Sequence, residues 1–124
     1  MDDMLLADNT AAAIALGKLL QEHRGGDVVV MDLRPFNSWT DFFVIVTVTS
    51  TTHVQGLERR IKEFSQERGM DILRKSPKPI GADDEWRLID LGAIVIHLMT
   101  AKTRSFYELE RLWGAAPIYS SKSS

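Results

Sequence analysis

The sequence predicts an α/β (α+β) fold, a single domain with a mixed five-stranded sheet flanked by helices. Its 124 residues fit one domain that is large enough to bury a core. Hydrophobic residues make up 44% of the chain and charged residues 26%, as in ordinary globular proteins. Segments with helical spacing alternate with short β-branched runs in the order α-β-β-α-β-β-β-α, which favours two or three packed layers.

The first helix is predicted over residues 10–24, and the first strand follows directly. Alanine and leucine recur on one helix face, and Gly25 and Gly26 stop the pattern. The run DVVVMDL (27–33) is β-branched and short, which is typical of a buried strand, and Pro35 ends it. FFVIVTV (42–48) is predicted as a second buried strand.

A second helix is predicted to begin at Thr51 or Thr52 and to end at Gly69. Its apolar residues recur at intervals of three and four, at Val54, Leu57, Ile61 and Phe64. Residues 70–73 are expected to form a short strand. Two prolines and a glycine in residues 75–84 indicate a loop.

The stretch EWRLIDLGAIVIHLMT (85–100) predicts a β-hairpin with Leu91 and Gly92 as its two-residue turn. This turn would pair Asp90 with Ala93, Leu88 with Val95 and Trp86 with His97. Because side chains alternate along a strand, Trp86, Asp90 and His97 would then lie on one face of the sheet.

The last helix is predicted over residues 103–113, with Thr103 as its cap and Gly114 as its stop. Phe106 and Tyr107 lie in its aromatic part, and Glu110 lies beside them. The polar end of the chain predicts a disordered tail at residues 118–124. The expected organisation is therefore a flexible N-terminus (1–7), one domain (8–117) and this tail.

Trp86, Asp90 and His97 interrupt an otherwise apolar hairpin, and the residues alone leave their role open. A large aromatic with polar neighbours on a half-buried sheet face is typical of a partner-binding surface. A single histidine in an apolar strand is also typical of a core residue held by one hydrogen bond. An aspartate before a turn glycine is ordinary turn chemistry.

Composition and motifs give little support to catalysis, metal binding or membrane insertion. The chain has no cysteine, and its net charge of -2 argues against non-specific nucleic-acid binding. No phosphate-binding glycine motif occurs, and the three histidines fall on different predicted elements. An acidic start and short apolar runs favour a soluble, cytoplasmic protein. We expect no catalytic residue, no cofactor and no metal.

An enzymatic alternative stays open at the ends of the predicted strands. Asp32, Asp41 and Asp90 lie there, where a two-metal phosphoryl-transfer site would gather its carboxylates. The chain has no D-x-D pair, and aspartate is also common as a turn former at strand ends.

Two long patterns resemble the ribosomal silencing factor family (RsfS, also called Iojap-like). The first, W-x-L-x-D-x-G-x-x-V-x-H, starts at Trp86, and the second, R-x-F-Y-x-L-E-x-L-W, starts at Arg104. The runs DVVVMDLRPFNSWTDFFVI and TSTTHVQGLERRI are similar to the family's first half, so the resemblance covers residues 8–117. Val48 replaces a usual glycine and Ala93 a usual acid, and neither change alters Trp86, Asp90 or His97.

The resemblance implies a nucleotidyltransferase-like topology without that family's active site. It also implies binding to large-subunit ribosomal protein fourteen (universal nomenclature) on the 50S subunit. Occupying that protein would block subunit joining and repress translation when nutrients are scarce. A homodimer is implied for the free protein, with at most peripheral contact to rRNA and none to a membrane.

On this interpretation, one surface of the domain binds the ribosomal protein. Trp86 is its aromatic anchor and His97 packs beside it, while Asp90 and Glu110 accept hydrogen bonds from arginine or lysine. Phe106 and Tyr107 extend the patch; these six residues are the predicted partner-binding site. The alternatives are a nucleotidyltransferase-like enzyme and an rRNA-binding ribosome-assembly module. For the latter, the basic cluster Arg59, Arg60 and Lys62 lies on one predicted helix, where a solvated face is the favoured interpretation.

Overall fold

The computed structural model describes residues 2–36, 40–75, 86–108, 111 and 118. Within them, three helices and one sheet form a single α+β domain, as predicted. The helices and strands follow in the order α1 (Asp2–Glu22), β1 (Gly26–Asp32), β2 (Phe42–Val48), α2 (Thr51–Glu67), β3 (Arg74–Lys75), β4 (Trp86–Asp90), β5 (Ile94–Thr100) and α3 (Ala101–Tyr107). No helix in this part of the chain has the length and apolarity that crossing a bilayer requires.

The sheet is mixed, as predicted, with the strand order β1-β2-β5-β4-β3. Strand β2 pairs antiparallel with β1 and parallel with β5, and β4 pairs antiparallel with β5 and with β3. Four of the five predicted strands are full strands of five or seven residues. The fifth, β3, contains only Arg74 and Lys75.

One face of the sheet packs against α1 and α2 and forms the main core. Alternate residues of β2, among them Val44 and Val46, point to this face. The helices contribute apolar stripes at the predicted spacing, with Leu16 and Leu20 from α1 and Leu57 and Ile61 from α2, all at most 1% exposed. The opposite face carries a smaller cluster made of Met31, Leu33, Phe43, Ile45, Val95 and Met99.

Helix α2 begins and ends where the sequence predicts. Its N-cap is Ser50, whose hydroxyl oxygen accepts the His53 N–H at 3.1 Å. At its C-terminus Gly69 has φ +68°, and the N–H groups of Gly69 and Met70 donate to the carbonyls of Gln66 and Ser65. These two bonds form a Schellman motif, which needs a residue that tolerates positive φ at the glycine position.

Two other boundaries differ from the prediction. Helix α1 begins at Asp2 instead of residue 10, so residues 2–7, predicted as a flexible N-terminus, have helical backbone. Neither proline nor glycine interrupts residues 2–10, and the acidic start suits a helix N-terminus. The short strand lies at Arg74–Lys75 instead of residues 70–73. The loop predicted at 75–84 lies outside the described residues beyond Lys75.

Helix α3 is shorter than predicted and starts earlier. Its N-cap is Thr100, not Thr103: the Thr100 hydroxyl oxygen accepts the Thr103 N–H at 3.3 Å. The helix ends at Tyr107 because Glu108 adopts a left-handed conformation with φ +46°, which stops the helical hydrogen-bond ladder. The predicted start at Thr103 is therefore wrong, and the predicted helix is interrupted at Glu108. Of residues 109–113 only Arg111 lies within the described part of the chain, and its backbone is helical.

Candidate functional site

The hairpin of β4 and β5 forms with a register that differs from the prediction by two residues. Trp86 pairs with Met99, Leu88 with His97 and Asp90 with Val95. The Leu91 N–H donates to the Ile94 carbonyl at 2.8 Å, so the turn residues are Gly92 and Ala93. A shift of two residues leaves every side chain on its predicted face. The three residues singled out in the sequence therefore share one face, opposite to α1 and α2.

The turn shifts because only glycine readily takes positive φ at its first position. Gly92 has φ +90°, which suits a turn that starts with glycine. A turn made of Leu91 and Gly92 would require positive φ at leucine as well. Asp90 supports the observed turn, since its Oδ1 accepts the Gly92 N–H at 2.8 Å. Asp90 is half-buried, and this contact is the turn chemistry that the sequence analysis left open.

The imidazole of His97 lies beneath the indole of Trp86. Only 4% of His97 is exposed, whereas Trp86 is half-buried. The Trp86 Nε1–H donates to His97 Nδ1 at 3.1 Å, across the diagonal of the two strands. Because an indole nitrogen is only a donor, Nδ1 must accept, and the proton of the neutral ring lies on Nε2. His97 thus combines two of the predicted possibilities, since it is a core residue and packs beside Trp86.

Burial keeps this imidazole uncharged at neutral pH. Loss of hydration on burial lowers the pKa of His97 from 6.5 to about 4. The edge of the ring meets Phe43, with ring centres 4.5 Å apart and planes at 67°. Nε2 has no hydrogen-bond partner among the described residues.

Five rings form a continuous column from the sheet to the surface, which we call the aromatic column. From Phe43 and His97 the column continues to Trp86, at 5.8 Å from His97. Tyr107 lies 4.7 Å from Trp86, and Phe106 meets Tyr107 edge-on at 5.0 Å. Exposure rises along the column, from 4% at Phe43 to 47% at Tyr107 and 80% at Phe106. Aromatic pairs in such tilted arrangements stabilise each other beyond simple burial.

The column unites four of the six predicted site residues. Trp86, His97, Phe106 and Tyr107 belong to it, while Asp90 lies at the far end of β4, about 13 Å along the strand. Glu110 lies outside the described residues. Phe43 is the member that the sequence analysis missed. The alternation of β2 places it on this face, but only the parallel pairing of β2 with β5 brings it next to His97.

The three strand-end carboxylates have separate partners. Asp32 accepts two hydrogen bonds from the Arg34 guanidinium, at 2.9 and 2.6 Å. Asp41 Oδ2 accepts from the Asn9 amide at 3.4 Å, and Asp90 accepts from the turn. Within the described segments, no three histidine, cysteine, aspartate or glutamate side chains are grouped to hold a metal ion. Each of these carboxylates therefore makes a structural contact of its own.

Comparison with known proteins finds ribosomal silencing factors and a related mitochondrial protein over most of the chain. Residues 7–124 match the model of the family described as "Ribosomal silencing factor during starvation". The "Ribosomal silencing factor RsfS" of Treponema pallidum is 35% identical over 102 residues, which are 82% of this chain and 89% of that protein. The mouse "Mitochondrial assembly of ribosomal large subunit protein 1" is 37% identical over 79% of this chain but only 43% of its own length. A crystal structure of a Chromobacterium violaceum protein, 26% identical, superposes with a TM-score of 0.72 over 94% of this chain and 92% of that one.

Proposed function

Because the chain belongs to the ribosomal silencing factor (RsfS) family, we propose that it binds the large ribosomal subunit through ribosomal protein fourteen and sterically blocks subunit joining. Translation is repressed as a result. The observation that carries the assignment of the surface is the aromatic column, whose two outer rings, Phe106 and Tyr107, are adjacent, in contact with each other and exposed. We place the activity in the cytoplasm.

The outer part of the column has the composition of a binding surface. Tyr107 and Phe106 expose 47% and 80% of their area and continue directly from the half-buried Trp86. Tryptophan and tyrosine are enriched where interfaces bind most strongly, because they bury a large area with few rotatable bonds. Contiguous exposed aromatics are costly in a monomer unless a partner covers them. This patch is therefore the proposed contact with the ribosomal protein.

Two carboxylates of the predicted site, Asp90 and Glu110, are proposed to select a basic partner. Asp90 and Glu110 accept hydrogen bonds from arginine or lysine of the ribosomal protein. The role of Glu110 stays a prediction from the sequence pattern. Homodimerisation of the free protein and a nucleotidyltransferase-like topology also stay predictions.

The first experiment measures the affinity of variants for purified ribosomal protein fourteen. Trp86→Ala is expected to weaken binding by more than about 2 kcal/mol, roughly 30-fold, because it removes a central aromatic anchor. The control is Gln55→Ala, since Gln55 is exposed on α2, which packs against the opposite face of the sheet. Circular dichroism verifies the fold of both variants. Equal affinity of Trp86→Ala and the unaltered protein would remove Trp86 from the proposed interface.

The second experiment tests silencing itself by gradient sedimentation. Purified subunits mixed with the protein are expected to yield fewer joined ribosomes than subunits alone. Trp86→Ala should restore joining, while Gln55→Ala should silence like the unaltered protein. If the protein binds the large subunit and joining proceeds normally, steric silencing is excluded and only the binding part of the proposal stands.

A role in ribosome assembly is the second candidate, and the name of the mouse relative favours it. If assembly operates through rRNA, binding to bare rRNA should weaken steeply as salt rises. Silencing predicts that binding requires the ribosomal protein. A nucleotidyltransferase-like enzyme predicts a higher melting temperature with nucleotide and magnesium. The ion pair that holds Asp32 to Arg34 gives that third possibility no support.

A further inference from the structure

Trp86 directs its single polar atom into the protein. The indole Nε1–H is the only hydrogen-bonding group of a tryptophan side chain. It donates to Nδ1 of His97, which is 4% exposed. A molecule that docks on the exposed side of Trp86 therefore meets carbon atoms of the ring, while the donor is already engaged below.

The acceptor is held firmly in place. His97 lies in β5 between two paired strands, opposite Leu88 on one side and Ile45 on the other. The edge of Phe43 packs against the same imidazole at 4.5 Å. Trp86 is thus held from below by a hydrogen bond to a buried ring, and from the side by Tyr107 at 4.7 Å.

We propose that His97 is a positioning residue for Trp86, and that Trp86 consequently contacts the ribosomal protein through its ring alone, against an apolar surface. This inference rests on the proposed function and names the partner chemistry of the same site. A carbonyl or carboxylate facing Trp86 would lose water without gaining a donor, which is unfavourable. Aliphatic side chains have no hydrogen bonds to water to lose, so the inward direction of the Trp86 N–H favours an aliphatic partner surface.

The first arm of the test needs no partner and examines the positioning role directly. Nitrogen-15 labelling of tryptophan reports the indole N–H of Trp86, identified by its absence in Trp86→Phe. Its hydrogen exchange is expected to be slow. His97→Leu, which removes the acceptor, should accelerate exchange at least ten-fold. His97→Asn places an acceptor at the position of Nδ1 and should restore exchange to within three-fold of the unaltered protein.

The second arm measures affinity for the purified ribosomal protein after Trp86 is replaced by 3-benzothienylalanine. This analogue keeps the shape of the indole and carries sulfur in place of N–H. Affinity is expected to fall about five-fold, the usual effect of one lost hydrogen bond. In the His97→Leu background, whose affinity is already lowered, the analogue should change affinity by less than two-fold, because the donor acts only through His97.

The outcomes separate this inference from the proposed function. An equal fall in affinity in both backgrounds would mean that the indole N–H donates to the partner. No fall in either background would mean that the bond to His97 does not position Trp86. Either result overturns the inference. If the unaltered protein does not bind at all, the proposed function fails, and the ring-only contact fails with it. The exchange measurement then still decides whether His97 holds Trp86.

Discussion

The buried imidazole of His97 makes the stability of the fold depend on pH. The folded protein keeps this ring neutral until its pKa of about 4, whereas histidine in an unfolded chain protonates near 6.5. Between these values the unfolded chain binds more protons than the folded one. The free energy of unfolding therefore falls as pH decreases from 6.5 to 4, by up to about 3 kcal/mol, and this contribution levels off below pH 4.

Urea unfolding of the unaltered protein and His97→Leu at several pH values between 7 and 4 tests this prediction. Acidification protonates carboxylates in both proteins, so the informative quantity is the difference in their free energies of unfolding. This difference should shift in favour of His97→Leu as pH falls below 6.5. A constant difference across the range would show that His97 is protonated in the folded protein or hydrated in its interior.

At the same scale, the residues show how far a site can be predicted from a sequence. Alternation correctly placed Trp86, Asp90 and His97 on one face, because the period of a strand is insensitive to a register error of two. The burial of His97 depends on Trp86 and Phe43, whose rings pack against the imidazole. Phe43 is far from His97 in the sequence, so only the pairing of the strands reveals this contact.

At the scale of elements, two glycines allow a matched test of backbone conformation, since one needs positive φ and the other lies in a helix. Gly92 has φ +90° in the hairpin turn, and an added Cβ would also lie 3.4 Å from Leu73 Cδ1. Gly92→Ala is therefore expected to destabilise the protein by about 1 kcal/mol or more. The measurement is the midpoint of urea unfolding, converted with the slope of the transition.

Gly56 provides the control, because it lies in the interior of α2 and an added Cβ would meet no atom within 4 Å. Gly56→Ala should stabilise the protein by about 0.5–1 kcal/mol, since alanine favours helix. Opposite signs for the two substitutions are expected. If Gly92→Ala is neutral, the turn adopts another conformation in solution, and the face shared by Trp86 and Asp90 must be re-examined.

The accuracy of the predicted boundaries follows the strength of local signals. Strand β2 and helix α2 match their predictions because β-branched composition, a serine cap and a terminal glycine all agree at their positions. Helix α3 was predicted to continue to residue 113 because its apolar spacing continues. It ends at Tyr107 because Glu108 takes φ +46°, and glutamate gives no sequence signal for a left-handed residue.

At the scale of the whole molecule, one face of the sheet mainly stabilises the fold and the other carries the proposed binding surface. Helices α1 and α2 bury most of one face, so its apolar residues contribute mainly to the free energy of unfolding. The other face carries a smaller apolar cluster, and the aromatic column extends from this face to the surface. The two sets of side chains come from alternate positions of the same strands. A sequence pattern can separate the faces, but only the covering helices reveal which face stays accessible.

This division predicts that stability and binding respond to different substitutions. Ile61→Ala, at a position with no exposure in α2, should lower the free energy of unfolding by about 2–5 kcal/mol through lost burial and a cavity. Phe106→Ala removes a ring that is 80% exposed, so its free energy of unfolding should stay within about 0.5 kcal/mol of the unaltered protein. Urea unfolding measures both values.

For affinity to the ribosomal protein, the two variants should rank in the opposite order: Phe106→Ala loses more than Ile61→Ala. Affinity is measured under conditions in which each variant is folded. Ile61→Ala is expected to bind like the unaltered protein once corrected for its folded fraction, because α2 packs on the opposite face. Phe106→Ala should bind at least five-fold more weakly, since it removes the most exposed ring of the column. A Phe106→Ala variant with full affinity would restrict the aromatic part of the interface to Trp86 and Tyr107. A variant that instead loses stability would make Phe106 part of the structural support, because its edge contact with Tyr107 would then hold the end of α3 in place.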